Sequence, residues 1–112
     1  MTDKAELALL LDYYGAFLTE RQRQLLEMSA DEDMSLAEIS AEVGVSRQAV
    51  RDSISKASRQ LREFESELGL VGRDKRLRSL AETLESAVLS GDPREVAIAA
   101  ERAANELRAQ IR

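Results

Sequence analysis

The sequence predicts an all-α fold, a helix-turn-helix bundle followed by a C-terminal helical hairpin. Three observations carry this prediction. Helix-start signals recur ahead of apolar residues spaced three and four apart, a glycine separates two such helices in mid-chain, and no run shows the alternation of a strand. At 112 residues the chain fits one small domain with an appended element and can bury a modest core.

The first helix is expected from Ala5 to Phe17, with Leu7, Leu10, Leu11 and Tyr14 on one stripe and Leu18 continuing it beyond Gly15. Leu9 and Tyr13 fall on another side, so this helix is apolar over more than one face. Core burial and contact with a second copy would both use them. Thr19 and Gln22 are spaced as a capping box that opens a second helix, with Leu25, Leu26 and Met28 as its apolar positions and its end near Ser29. Asp31, Glu32 and Asp33 then read as a solvated turn. They lack the spacing of a calcium loop and have no histidine beside them, so no metal is assigned.

Ser35 and Glu38 form the next capping box, which predicts a short helix burying Leu36, Ile39 and Val43. Gly44 ends it, since a sharp turn there needs a positive φ that glycine adopts without a Cβ clash. Ser46 caps the following helix, and Val45 and Val50 are spaced as a hydrophobic staple across its start. Along this longest helix Val50, Ile54, Ala57, Leu61, Phe64 and Leu68 alternate steps of four and three. At about 100° per residue, Gln48, Arg51, Ser55, Arg59 and Arg62 share a face well away from that stripe. Such a face on the second helix of the motif suits the DNA major groove, where Arg matches guanine and Gln matches adenine through two hydrogen-bonding atoms each. A solvated basic face and a protein-binding face have the same composition.

Charge narrows any nucleic-acid footprint. The net charge of −5 opposes indiscriminate attraction to phosphate. From Ser46 to Arg62, by contrast, Arg47, Arg51, Lys56, Arg59 and Arg62 stand against Asp52, a local charge of +4. Glu63, Glu65 and Glu67 come at once after them. The sequence has no cysteine and no histidine, which excludes disulfides and thiolate metal sites and removes the commonest metal ligand and acid-base group. Neither catalysis nor a cofactor is expected. The apolar runs are far shorter than a membrane span, and Met1-Thr2-Asp3-Lys4 is not a basic leader before an apolar signal core, so a cytoplasmic location is expected.

After Leu68, Gly69 and Gly72 read as a short linker, with Asp74 able to cap the next helix. This divides a helix-turn-helix domain, 1–70, from a hairpin, 73–112, that serves packing or dimerisation. Leu77, Leu80, Ala81, Leu84 and Val88 mark one amphipathic helix. Ser90-Gly91-Asp92-Pro93 breaks it, and Asp92 caps a last helix that begins with Pro93. That helix is expected to bury Val96, Ala100, Ala103, Leu107 and Ile111, its alanines permitting close approach. Arg73, Lys75, Arg76 and Arg78 make a second basic cluster, read as a solvated helix start.

Leu18-Thr19-Glu20-Arg21-Gln22, Ser35-Leu36-Ala37-Glu38-Ile39, Val45-Ser46-Arg47-Gln48-Ala49-Val50 and the run Leu61 to Leu70 occur in order. With Leu11-Asp12-Tyr13-Tyr14-Gly15, this set resembles the YlxM-like bacterial proteins over roughly the first two-thirds of the chain. The chain departs from that pattern at Met28-Ser29-Ala30, where such proteins tend to carry aromatic residues, and at Arg51, where tyrosine is frequent. The resemblance implies a fold similar to the DNA-reading fourth region of sigma factors and a DNA-binding activity. It also implies a link to the signal recognition particle, because genes of that family commonly neighbour those of the particle and its receptor.

Two functions therefore compete. In one, Ser46, Arg47, Gln48, Arg51 and Ser55 face the major groove and Arg59 and Arg62 meet phosphates, giving a regulator. In the other, the same face or the hairpin binds RNA or protein of the signal recognition particle. A structural adaptor using only the hairpin is a third possibility. A homodimer is expected as well, with Leu9, Tyr13 and Ile98 as the off-stripe residues a self-contact would bury.

Overall fold

The computed structural model describes residues 3–111. The chain divides into two compact units, Met1–Val71 and Gly72–Arg112. Every regular element among the described residues is helical: α1 (Lys4–Tyr14), a 3-10 turn (Gly15–Phe17), α2 (Glu20–Leu26), a π-helical turn (Glu27–Asp31), α3 (Leu36–Val43), α4 (Arg47–Leu68), α5 (Leu70–Ser90) and α6 (Pro93–Ala109).

In the first unit the helix starts are set by the capping residues that the sequence names. Thr19 accepts from the Gln22 amide at 3.2 Å while Gln22 Oε1 accepts from the Thr19 amide at 3.1 Å. Ser35 and Glu38 make the same reciprocal pair, both bonds at 3.1 Å. The Ser35 amide holds the Glu38 carboxyl below its usual pKa. α1 stops at Tyr14 rather than Phe17, and its last turn tightens into the 3-10 turn at Gly15. A Cβ on Gly15 would lie 3.2 Å from Leu11 Cδ1 on the preceding turn and 3.7 Å from Arg23 Cδ of α2, so the position is tightly packed. The second helix outruns its expected end at Ser29, since a wide π turn carries it to Asp31. Asp33 then takes a positive φ of 52° and pairs with Lys4 at the start of α1, which lowers its carboxyl pKa.

Two apolar clusters form this unit. Leu10, Leu11, Tyr14, Leu18, Leu26, Ala57, Leu61 and Val71 make the first, with Leu9, Tyr13, Ile54 and Phe64 packed against it. Leu25, Ile39 and Val50 make the second, beneath Met28, Met34, Leu36, Val43 and Ile54. Burying such aliphatic side chains stabilises the fold by about 1.5 to 3 kcal/mol each. Leu9 and Tyr13 are thus half-buried within the unit, which accounts for the second apolar side of α1.

The expected linker at Gly69 to Asp74 does not exist. Gly69 takes φ 63° and caps α4, and α5 starts on the next residue and runs through Gly72 and Asp74. The first amides of α5 find partners from afar: the Leu70 N–H donates to Tyr14 Oη and the Val71 N–H to Glu65 Oε1, both at 3.0 Å. Asp74 is therefore inside a helix instead of capping one.

In the second unit, Asp92 accepts from the Arg94 amide at 2.9 Å with Pro93 at the first position of α6, as the break in sequence predicts. The buried residues are Ala87, Ala99 and Ala103. This corrects the expected stripe of α6: Ala100, Leu107 and Ile111 are exposed, and on α5 so are Ala81 and Val88. The helices meet through alanines, so each is rotated relative to its sequence stripe.

Candidate nucleic-acid interface

The interface is built on the turn between α3 and α4. Gly44 sits in the left-handed region at φ 75°, and Ser46 returns to extended backbone and accepts from the Ala49 amide at 3.1 Å. The Ser40 hydroxyl donates to the Val45 carbonyl and ties the end of α3 to the turn. Of the two residues spaced as a staple, Val50 is fully buried and Val45 is 40% exposed.

α4 is fixed by its apolar side. Val50, Ala57 and Leu61 are fully buried and Ile54 and Phe64 half-buried, while Leu68 is exposed at the far end. Gln22 Nε2 donates to Gln60 Oε1 at 3.2 Å and locks α2 to the flank of α4. Phe64 stacks against Tyr14 and Phe17 with ring centroids 6.0 and 5.5 Å away. With that side held, the opposite side is committed to the surface.

Ser46, Arg47, Gln48, Arg51, Ser55, Arg59 and Arg62 are all exposed. The helix period gathers Gln48, Arg51, Ser55, Arg59 and Arg62 on one face, with Ser46 and Arg47 at its N-terminal edge. Among the described residues, no carboxylate lies within salt-bridge distance of Arg47, Arg51 or Arg59. Ser46 uses its oxygen as the cap, which leaves its hydroxyl proton able to donate. Periodicity alone misses one relationship: Gln48 Nε2 donates to Asp52 Oδ1 at 2.9 Å, which orients the glutamine amide and puts a carboxylate within the basic face. The spacing of four between Gln48 and Asp52 is the signal that reveals it. Among the described residues no group of three or more acidic, histidine or cysteine side chains is arranged to hold a metal ion. No helix there is long and apolar enough to cross a membrane. Leu9 and Tyr13 lie in the first unit and Ile98, 57% exposed, in the second.

Against known proteins, residues 1–99 match the family described as "UPF0122: Putative helix-turn-helix protein, YlxM / p13 like". This chain belongs to that family. The UPF0122 protein of Symbiobacterium thermophilum is 43% identical over 110 residues, covering 98% of this chain and 99% of the relative. UPF0122 proteins of Desulforamulus reducens and Clostridium botulinum are 44% and 41% identical over 73 and 76 residues. Those matches span 65% and 68% of this chain and 62% and 70% of the relatives. The UPF0122 description agrees with the α3–Gly44–α4 geometry, a short helix, a left-handed glycine and a capped second helix.

Proposed function

We propose that this UPF0122 member binds DNA through α3 and α4 as a cytoplasmic regulator that acts by binding and not by catalysis. Ser46, Arg47, Gln48, Arg51 and Ser55 read base edges in the major groove, and Arg59 and Arg62 contact phosphates. The observation that carries this reading is that Arg47, Arg51 and Arg59 are exposed, with no carboxylate partner among the described residues, on the side of α4 opposite its buried stripe. Their charge is therefore not offset by a local carboxylate and is available to phosphate. A homodimer belongs to the same reading, since two copies present two recognition helices to two half-sites.

The test is fluorescence anisotropy with a mixed-sequence duplex at low salt, with signal recognition particle RNA as competitor. Binding should weaken at least tenfold when Arg51→Ala and Arg59→Ala are combined. Unchanged binding would remove the basic face as the site. Tighter binding to the RNA than to duplex at matched salt would favour the particle-linked role, for which the support is family resemblance.

A further inference from the structure

The hairpin of α5 and α6 covers only part of each helix's apolar stripe. Its buried side chains are alanines, with Leu77, Leu80, Leu84 and Val96 half-buried around them. Turning about α5 away from Ala87, the next apolar positions are Leu77, Val88 and Ala81. Turning about α6 away from Ala99 and Ala103, they are Leu107, Ala100 and Ile111. Because the helices run antiparallel, these rotations bring both rows onto one face of the hairpin. Val88 is 65% exposed there, Leu107 48% and Ile111 73%. The opposite face is a groove in which Ile98 lies with Thr83, Ser86, Arg102 and Asn105. A unit of about forty residues with so few buried side chains is near the size at which small folds rely on association.

We propose that this face is covered by the same face of a second copy, so that two hairpins form an antiparallel four-helix bundle about a two-fold axis. The proposal deepens the homodimer part of the reading above and does not depend on DNA binding. Charge selects both the occupant and the arrangement. Beyond the apolar rows, α5 carries Arg78 and Glu85, and α6 carries Glu101 and Arg108. The members of each pair are seven residues apart, two turns or about 10.5 Å, and share one edge of their helix. All four are exposed and, among the described residues, none forms an ion pair within its own chain. A two-fold axis perpendicular to the helices reverses the second copy. Arg78 then faces the partner's Glu85, and Glu101 faces the partner's Arg108.

One axis must serve both helices at once. For α5 it passes between Ala81 and Glu82, and for α6 between Ala104 and Asn105. Arg76 donates to Gln110 at 3.2 Å across the hairpin. Arg76 precedes the first point by the same number of residues as Gln110 follows the second, so the two points stand level. An alanine at each point lets the layers approach closely. An unrelated partner would have no need of this coincidence.

Sedimentation equilibrium on the full chain tests the proposal. The wild type should be a dimer at tens of micromolar. Arg78→Glu and Glu85→Arg each set like charges face to face, and each should weaken the dimer about tenfold. Mixed in equal amounts, these two variants should recover wild-type affinity, because every contact between 78 and 85 is opposite again in the mixed pair. Both positions are exposed, so circular dichroism should show unchanged helix content, and Ile98→Glu in the groove should leave the mass unchanged. A wild-type monomer at these concentrations, single variants that dimerise as well as wild type, or a mixture no tighter than its components would each overturn the proposal. DNA binding measured on the same samples keeps the two readings apart: a monomer that binds DNA removes this one, and a dimer that does not bind DNA removes the other.

Discussion

Tyr14 and Glu65 form one junction at the end of α4: the tyrosine hydroxyl donates to Glu65 Oε1, and the same two oxygens receive the Leu70 and Val71 amides at the start of α5. Tyr14 is fully buried, so its hydroxyl depends on this junction for its hydrogen bonding.

Tyr14→Phe should therefore cost about 1 to 3 kcal/mol, since it takes the acceptor from the Leu70 amide and one of its hydrogen bonds from the Glu65 carboxylate. Urea unfolding measures it. Burial first, and the Glu65 bond second, raise the Tyr14 pKa above its ordinary value. Below that ordinary value the contribution is fully present. As pH rises through the folded pKa the unfolded chain ionises first and stability falls, a decline that Tyr14→Phe should flatten.

Leu61 and Leu68 belong to the same sequence stripe but not to the same environment. Leu61 is fully buried in the larger cluster and Leu68 is 53% exposed. Leu61→Ala should lose about 2 to 5 kcal/mol and Leu68→Ala less than about 1 kcal/mol. Equal losses for the two would contradict the packing described for α4.

Acid should act on α3 through Glu38, whose carboxyl pKa is lowered first by the bond from the Ser35 amide. A lowered folded pKa means that this stabilisation is present above the ordinary glutamate range and is lost as pH falls through the folded value. In Glu38→Gln the unfolding midpoint should respond less to acid over that window, as followed by helical circular dichroism.

The salt dependence of duplex binding should be shallow. With about three to four cations engaged, the logarithm of affinity should fall against the logarithm of salt with a slope of about −2.7 to −3.6, and Arg59→Ala should reduce that slope by about one. A slope unaltered by Arg59→Ala would take that side chain off the phosphates.

The parts of this fold that the sequence makes legible are those decided within three or four residues. Thr19 with Gln22, Ser35 with Glu38 and Asp92 with Pro93 mark their helix starts because cap and amide are local partners. The basic face of α4 emerges from periodicity once Val50 and Leu61 are taken as core. The start of α5 is not legible, because its caps come from Tyr14 and Glu65 and not from the neighbouring Asp74. The rotation of α5 and α6 is equally hidden: a stripe of leucine, valine and alanine does not say which members face the nearest helix, and here the alanines do.

Ile54 packs against both apolar clusters of the first unit. Among the described residues it is the side chain shared by the two, the larger cluster under α1 and the smaller one under α3. Unfolding need not then be all-or-none at the turn: α3 can open with its small cluster while α1 and the C-terminal half of α4 stay closed. Native-state hydrogen exchange should find the α3 amides less protected than those of α1, and Ile54→Ala should widen the gap, making the turn at Gly44 part of a separately melting foldon.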